Sequence, residues 1–501
     1  MPRHHLQEAG RADRRPRHLP QQHREVRGRG QLLESGEVLA EHLPHGAGPV
    51  GEDPVQHRLP HARLRGQPGQ GHVRAHLVEQ PARSGQQRRA VARRGARSGV
   101  APAAGPAVVV VAHRHSPIVS PGRQRPRPAG RPEHVPDEEV LKVGVVGLGW
   151  AGQQHLAAYA DRPDVEVVAL AGMEAGLLAS LGEAHDVAHR VARWQDLLEV
   201  EGLQAVSIAV PTALHAPIAV AALQRGLHVL CEKPIARDAP EAATMVEAAR
   251  AAGRVLEVVF NHRQRGDVQA LRQLVASGEL GRPYAARSWW LRRRGIPMLG
   301  SWFTNAEASG GGPLVDIGVH CLDWALHVLG EPRVVAASAV TFSELGPRGL
   351  GGSRGGTKSL AGDPSAYEVE DLAHAFLRLE GGGLLQLETS WAVFREPVDQ
   401  MGMTVRGTDG GAELVVQGDP DPTGELRVFT DSPLTADGEA ADRTVPVQPG
   451  RGHAAVVDAF VDVVRSGAAA WKDHDGSLAL DRARVIDACY ASARENREVQ
   501  L

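Results

Sequence analysis

One stretch decides the fold of this chain: Leu141-Lys142-Val143-Gly144-Val145-Val146-Gly147-Leu148-Gly149-Trp150-Ala151-Gly152. It joins a short apolar run, typical of a buried strand, to a glycine-rich turn and then to residues of helical composition. Gly147 permits the tight turn, Gly149 lets the backbone approach a pyrophosphate, and Gly152 lets helix and strand pack closely. Because the start of a helix presents free N–H groups, it suits phosphate oxygens. The stretch therefore predicts a dinucleotide-binding turn.

Short apolar segments alternate with helical segments after this turn. Strands are predicted over residues 165–170, 204–210, 228–232 and 255–260, with helices over 216–225 and 240–252 between them. This alternation predicts an α/β fold, a Rossmann domain with a doubly wound parallel sheet over residues 140–262.

The pattern changes at about residue 263. Longer β-rich segments follow, over residues 284–294, 334–344, 368–379, 384–393 and 401–416. One helix is predicted among them, from about residue 314 to 329, and two more near the end, over 453–466 and 478–496. These segments predict an α+β domain with a large open, mostly antiparallel sheet over residues 263–497, which would bind substrate and mediate oligomerisation.

Residues 1–138 have a different composition. They contain no Lys, Trp, Phe, Tyr or Cys, and up to residue 139 there are 23 arginines against 13 acidic residues, a net charge of +10. Such a segment buries too little apolar surface to offset its ordering entropy. We expect a disordered extension or a mis-assigned start. A basic nucleic-acid-binding arm is a third interpretation, disfavoured because no aromatic residues are interleaved with the arginines.

The whole-chain composition narrows the classes of partner. The 501 residues are 42% hydrophobic and carry a net charge of −3, which indicates neither a nucleic-acid nor a membrane partner. No apolar run approaches the length of a transmembrane helix. Cys231, Cys321 and Cys489 are far apart, so a disulfide framework or zinc site is not expected and no metal is predicted. A reducing, cytoplasmic location fits this cysteine usage.

The second strand should identify the cofactor, because an acidic residue at its end usually binds the ribose hydroxyls. That position holds Gly172, and Glu174 follows two residues later. Glu174 could bind the ribose from the loop, or Gly172 could make room for a 2′-phosphate, although no arginine stands beside it in the sequence. The cofactor is therefore NAD or NADP, and the choice stays open.

Two short motifs supply candidate catalytic residues. Lys233, in Glu232-Lys233-Pro234, follows a predicted parallel strand and should face the ligand crevice, although a lone lysine there can also be a solvated charge. Asp316 and His320 are four residues apart, so one helix would place both on one face. An aspartate can fix the tautomer of a histidine and raise its basicity, which suits removal of a hydroxyl proton. The alternative is a helix cap at Asp316 and a structural His320.

Aromatic and basic residues lie between these motifs, in Trp289-Trp290-Leu291-Arg292-Arg293-Arg294 and Ser301-Trp302-Phe303. Aromatic faces could stack on sugar C–H groups, and the arginines could bind an acidic substrate. The alternative is strand core with a solvated basic edge.

Together these motifs resemble those of the Gfo/Idh/MocA oxidoreductase family over residues 140–495. The resemblance rests on the glycine turn, on Pro211-Thr212-x-x-His215, on Glu232-Lys233-Pro234 and on Asp316-x-x-x-His320. It implies NAD(P)-dependent hydride transfer at a hydroxyl-bearing carbon of a sugar, inositol or related polyol. It also implies a homo-oligomer, a dimer or tetramer, formed through the open sheet.

The resemblance also implies roles for individual residues. Lys233 would contact the reacting oxygen and the nicotinamide ribose, His320 would transfer the proton, and Asp316 would orient His320. Thr212 and His215 would line the nicotinamide side. Two other functions stay open: a dinucleotide-binding regulator without turnover, and an enzyme that recycles a tightly bound NAD. The complete set of predicted cofactor-binding residues is Gly147, Gly149, Trp150, Ala151, Gly152, Glu174, Pro211, Thr212, His215, Glu232 and Lys233.

Overall fold

The computed structural model describes residues 140–352, 363–396, 398–418, 423–431 and 442–501. The prediction made for residues 1–138 lies outside these residues. The first part of the described chain alternates strands and helices: β1 (Leu141–Val146), α1 (Trp150–Ala160), β2 (Val165–Ala171), α2 (Ala175–Ala184), β3 (His189–Val191), α3 (Trp194–Leu198), β4 (Ala205–Ile208), α4 (His215–Gln224), β5 (His228–Cys231), α5 (Ala239–Ala252) and β6 (Leu256–Val258).

These strands form one parallel sheet in the order β3-β2-β1-β4-β5-β6. The order reverses between β1 and β4, where ligands bind outside the carboxyl ends of the strands in open α/β sheets. Apolar clusters cover both faces of the sheet. This arrangement confirms the predicted Rossmann fold.

The rest of the described chain builds a second sheet and its covering helices. Its elements are α6 (Gly266–Ala276), β7 (Pro283–Leu291), α7 (Ala306–Ser309), α8 (Pro313–Asp316), α9 (Gly318–Val328), β8 (Val334–Phe342), β9 (Leu372–Leu379), β10 (Leu384–Ser390), β11 (Gln400–Gly407), β12 (Gly411–Gln417), β13 (Glu425–Phe429), β14 (Arg443–Val445), α10 (His453–Arg465), α11 (Ala468–Trp471), α12 (Ser477–Glu495) and β15 (Val499–Gln500).

The described strands of this second sheet follow the order β14-β13-β12-β11-β7-β10-β9-β8-β15. Neighbouring strands of this sheet are antiparallel, except β10 and β7, which are parallel. The prediction of a large, mostly antiparallel sheet is therefore confirmed. Helix α9 packs on one face, over β7 and β10. In the described part of the chain, the opposite face carries exposed apolar side chains, among them Phe342 and Phe376.

The β-rich segment predicted over residues 401–416 is confirmed as a hairpin of two strands, β11 and β12, joined by the turn around Gly410. Another predicted element is wrong in detail. The helix predicted from residue 314 to 329 is two helices, α8 and α9, which meet at Ile317. This break bears on the candidate site, since Asp316 ends one helix and His320 lies in the first turn of the next.

Helices from the end of the chain return to the Rossmann sheet. Helix α10 packs on α1, and α12 packs on α5 and β8. A buried ionic cluster fastens α9 within this packing: Asp323 accepts hydrogen bonds from Arg263 (2.6 Å from Nε) and Arg482 (3.2 Å from Nε). Residues on α9, including His320, are therefore held from two sides. In the described part of the chain, no helix has the length and apolarity needed to cross a bilayer.

Candidate active site

The glycine turn has the geometry that a dinucleotide needs. Gly147 adopts φ +92°, and a Cβ atom there would lie 2.1 Å from the carbonyl oxygen of Ala209. A Cβ atom on Gly152 would lie 2.0 Å from the carbonyl oxygen of Gly147. Gly149 differs, because its Cβ position has no neighbour within 4 Å. The backbone at Gly149 therefore borders open space, as a pyrophosphate requires.

Helix α1 begins at Trp150 with Gly149 as its N-cap residue, and no side chain caps its free N–H groups. Those donors and the helix dipole remain available for phosphate oxygens. Trp150 is largely exposed, and its ring meets that of His453 edge-on with centroids 5.1 Å apart. Ala151 continues the same first turn. The predicted turn residues thus fit a dinucleotide.

The loop after β2 contains the residues expected to distinguish the cofactors. A Cβ atom on Gly172 would lie 2.7 Å from Cδ1 of Leu148, so close packing in the fold explains this glycine. Glu174 is the N-cap residue of α2, its side chain makes no cap hydrogen bond, and it is exposed. Its carboxylate is therefore free to reach a ribose at the edge of the sheet.

The segment after β4 holds Thr212 buried in a single turn of 3-10 helix, directly after Pro211. The next helix begins with His215, whose two ring nitrogens lie 2.8 Å from the carbonyl oxygen of Pro234 and 2.9 Å from that of Val210. Both nitrogens are therefore occupied by the backbone. His215 links the end of β4 to the segment after β5, where Lys233 stands.

Glu232 is buried between two histidines. Its Oε1 atom lies 3.2 Å from Nε2 of His155 on α1 and 3.4 Å from Nε2 of His453 on α10. Burial alone would raise the pKa of Glu232, but the hydrogen bonds from both histidines outweigh it and hold the pKa well below its ordinary value. Glu232 thus joins α1, β5 and α10 and fixes the chain immediately before Lys233.

Lys233 and Asp316 form an ion pair. The Nζ atom of Lys233 lies 2.8 Å from Oδ1 of Asp316 and 3.0 Å from its carbonyl oxygen. The indole N–H of Trp391 donates to Oδ2 of Asp316 at 2.9 Å. Burial would raise the pKa of Asp316, yet the positive charge of Lys233 and these hydrogen bonds keep the pKa below its ordinary value. The carboxylate is therefore ionised and fully occupied.

His320 has no such partner. Its Nδ1 atom is buried without a hydrogen bond among the described residues. The expected hydrogen bond from the imidazole of His320 to the carboxylate of Asp316 is absent, since both oxygens of Asp316 accept from Lys233 and Trp391 and the helix breaks between the two residues. Burial lowers the pKa of His320 well below its ordinary value, and the nearby charge of Lys233 lowers it further. His320 is therefore a neutral imidazole.

Three residues that the sequence motifs did not single out as a group surround His320. The ring of His262, which follows β6, lies 4.5 Å from that of His320, measured between centroids. The indole rings of Trp290 and Trp324 lie 5.0 and 5.4 Å from the ring of His262. His262 could have been noticed because it follows a parallel strand, at the edge where ligands bind.

The basic and aromatic segment divides between the two faces of the second sheet. Trp290 faces His320, whereas its neighbour Trp289 packs over Gly402 on the other face, as alternation along a strand requires. Arg292 lies 4.8 Å over the ring of Trp290 and donates from Nε to Asp399 at 3.0 Å. Trp302 and Phe303 stack on each other with centroids 3.8 Å apart.

Comparison with known proteins decides the family. Residues 141–260 match the family described as "Oxidoreductase family, NAD-binding Rossmann fold", and residues 268–413 match the "GFO/IDH/MocA C-terminal domain". The chain belongs to the Gfo/Idh/MocA family. It is an NAD(P)-dependent oxidoreductase acting on CH–OH groups, as predicted.

Three relatives of this Gfo/Idh/MocA protein match it over nearly their whole length. D-glucoside 3-dehydrogenase of Escherichia coli (strain K12) is 33% identical over 367 residues, which cover 72% of this chain and 97% of the relative. The structure of aldose-aldose oxidoreductase from Caulobacter crescentus, complexed with glycerol, is 25% identical and has a TM-score of 0.59. The match covers 72% of this chain and 99% of that protein. Levoglucosan dehydrogenase in complex with NADH and levoglucosan shares the fold at 23% identity and a TM-score of 0.61. The match covers 72% of this chain and 99% of that protein.

Within the described residues, no group of three or more His, Cys, Asp or Glu side chains could hold a metal ion.

Proposed function

We propose that this oxidoreductase acts on a hydroxyl-bearing carbon of a sugar, inositol or related polyol, with Lys233, Asp316 and His320 as its catalytic residues. The observation that carries the proposal is the ion pair of Lys233 and Asp316, four residues before the buried imidazole of His320. Names of relatives support the substrate class, since one is a D-glucoside 3-dehydrogenase and another a levoglucosan dehydrogenase.

Each of these three residues has a distinct task. The bound nicotinamide supplies or accepts the hydride. In oxidation, the hydroxyl proton passes to the neutral imidazole of His320 while the carbon becomes a carbonyl, and in reduction the same imidazole returns the proton. Lys233 donates a hydrogen bond to the reacting oxygen and stabilises its developing charge. Asp316 orients Lys233, whereas the sequence motifs implied that it would orient His320.

The residues that would hold the cofactor follow the ends of the parallel strands. Gly147, Gly149 and Gly152 would admit the pyrophosphate, with Trp150 and Ala151 supplying N–H groups from the first turn of α1. Glu174 would bind the adenosine ribose. The nicotinamide side would be lined by Pro211, Thr212 and Lys233, with His215 and Glu232 as positioning residues because their polar atoms are already occupied by the protein.

We further propose a cytoplasmic homo-oligomer, a dimer or tetramer, formed through the open face of the second sheet. Val340, Phe342, Phe376 and Leu384 all lie on that face and are exposed. An exposed apolar surface of this kind is typical of a protein interface. The three cysteines are free and buried, which suits a reducing compartment. Light scattering of the wild type and of Phe376→Glu tests the interface: the substitution should dissociate the oligomer.

A turnover assay tests the activity. The chain is incubated with NAD+ or NADP+ and a panel of sugars and polyols, and reduced nicotinamide is followed by absorbance. We expect turnover with at least one sugar, and its loss in Lys233→Met and His320→Ala. Tight cofactor binding without turnover across the panel would instead favour a dinucleotide-binding regulator.

The similarity to aldose-aldose oxidoreductase favours a second candidate, in which bound NAD is recycled between two sugars. In that case the cofactor would co-purify with the protein. One sugar would reduce it and a second would reoxidise it without exchange. Free exchange with labelled NAD during turnover would count against this candidate.

A further inference from the structure

The aromatic box around His320 contains a second histidine to which the proposed chemistry assigns no task. His262 and His320 are 9% and 5% exposed, and their rings meet edge to face at an interplanar angle of 62°. Trp290 and Trp324 complete the box, parallel to each other with centroids 6.4 Å apart. The box lies at the carboxyl end of β6, in the ligand-binding edge of the Rossmann sheet.

The polar atoms of this box differ in how they are used. The indole N–H of Trp290 donates to Asp399 at 2.8 Å, and that of Trp324 donates to Ser288. The polar atoms of the two tryptophans are therefore already occupied. By contrast, the Nδ1 atoms of His262 and His320 are buried without a partner among the described residues.

The two rings differ in this from His215, whose two nitrogens both contact carbonyl oxygens. Buried polar side chains in native proteins nearly always have a hydrogen-bond partner, so an unpartnered one beside a proposed active site is a candidate for binding a ligand. For His320 the proposed task is proton transfer. His262, whose ring lies 4.5 Å from that of His320, is placed to bind the same ligand.

The charges nearby determine which kind of ligand His262 can bind. Burial, followed by the positive charges of Arg265 and Lys233, lowers the pKa of His262 well below its ordinary value. A neutral imidazole has one donor and one acceptor nitrogen, which matches a hydroxyl group, itself a donor and an acceptor. An anionic ligand group would have no attractive charge–charge interaction with this neutral ring. The ring of His262 lies 4.5 Å from that of His320, which is proposed to take the proton of the reacting hydroxyl.

We propose that His262 binds the hydroxyl on the carbon next to the one that is oxidised, so that the enzyme selects vicinal diols. This inference rests on the proposed function. His320 and Lys233 bind the reacting hydroxyl, and the adjacent imidazole of His262 binds its neighbour on the same ring.

The test compares a substrate with its monodeoxy analogues, beginning with methyl β-D-glucopyranoside and continuing with the best substrate of the panel. The analogue without the reacting hydroxyl is inert. The wild type should prefer the parent over the analogue without the adjacent hydroxyl by about 10- to 100-fold in kcat/KM, because an unpaired buried polar group costs about 1–3 kcal/mol.

Two variants identify the residue responsible. In His262→Phe, which keeps an aromatic ring, the preference should fall to within about threefold of unity because only the parent loses a hydrogen bond. His262→Asn, which retains a donor and an acceptor near the position of Nδ1, should recover part of that preference. His374→Phe, on the open face of the sheet, is the matched control and should leave the preference unchanged.

A binding measurement keeps the result independent of turnover. Calorimetry gives dissociation constants of the parent and the adjacent-deoxy analogue for the wild type and both His262 variants, with oxidised cofactor present. If the preference is the same in the wild type and His262→Phe, or absent from the wild type, the inference is wrong. Failure of the proposed function has another signature, namely no sugar turned over by the wild type.

Discussion

The Nζ atom of Lys233 lies 2.8 Å from Oδ1 of Asp316, although the two residues are 83 positions apart in sequence. One residue follows the Rossmann strand β5 and the other ends a short helix of the second part of the chain. The contact therefore forms only when both parts are folded against each other. It orients a partly buried ammonium group and keeps a partly buried carboxylate ionised.

Replacing Lys233 by Met should lower kcat by about 10²–10³-fold, because a preorganised donor to the reacting oxygen is lost. It should also lower the free energy of unfolding by about 3 kcal/mol, since Asp316 would be left buried without its cationic partner. Turnover and urea denaturation measure the two effects. Lys142→Met, at an exposed position on β1, should change neither. Equal losses in both variants would contradict the assigned role.

His320→Ala should lower kcat by about 10²–10⁴-fold, as expected for loss of a general base. In the wild type the pKa of His320 is depressed, so the imidazole stays neutral through neutral and mildly acidic pH. The acidic limb of the pH–rate profile for oxidation should therefore lie below about pH 6.5, the ordinary value for histidine. A limb above pH 7 that vanishes in His320→Ala would show that the imidazole is not kept neutral.

The same burial makes stability depend on pH. Unfolded histidines take up protons below about pH 6.5, whereas His262 and His320 resist protonation in the folded protein. The free energy of unfolding should therefore fall as pH decreases below that value. The fall should be shallower in His262→Phe, which no longer titrates. Denaturant titrations of both proteins between pH 7.5 and 5.5 measure the difference, and identical slopes would contradict it.

Two glycines of the turn, Gly149 and Gly152, should respond differently to alanine. Gly152→Ala should lower the free energy of unfolding, because its Cβ atom would meet the carbonyl oxygen of Gly147. Gly149→Ala should fold normally but bind the cofactor more weakly, because its methyl group would occupy the open space beside the turn. Gly176→Ala, also free of neighbours but on α2, is the matched control. Thermal unfolding and cofactor titration by fluorescence separate these outcomes.

Glu232→Gln should lower the free energy of unfolding by about 2–4 kcal/mol at neutral pH, because a buried carboxylate that binds two histidines is lost. The pKa of Glu232 is depressed, so its stabilising contribution is present above about pH 4.5 and decreases below it. Glu257→Gln removes a comparable but partly exposed contact with His474 and should cost at most about 1 kcal/mol. Denaturation of both variants at pH 7 tests this contrast.

Glu174→Gln should raise the dissociation constant of NAD more than that of NADP. The reason is that the adenosine ribose has a free 2′-hydroxyl, which a carboxylate can bind, only in NAD. Glu183→Gln, near the other end of the same helix, should leave both constants unchanged. Isothermal titration with each cofactor provides the comparison. If the preference for NAD over NADP is the same in the wild type and both variants, another residue binds the adenosine ribose.

The local patterns of the sequence predicted several parts of this protein correctly. The glycine turn, the alternation of strands and helices, and the change to longer strands near residue 263 all correspond to elements of the structure. These features could be inferred because the backbone freedom of glycine and the periodic burial of apolar side chains act over a few residues. They also sufficed to place Lys233 at the end of a parallel strand.

Only the tertiary structure decided the partners of the candidate site residues. Asp316 contacts Lys233 and Trp391 rather than His320, because the chain breaks its helix at Ile317. His262 reaches His320 from a distant strand. Such contacts depend on how two sheets and their helices pack together, and no local pattern encodes that packing. The sequence by itself determined where the dinucleotide turn and the candidate catalytic residues stand, and the folded chain determined which of them meet.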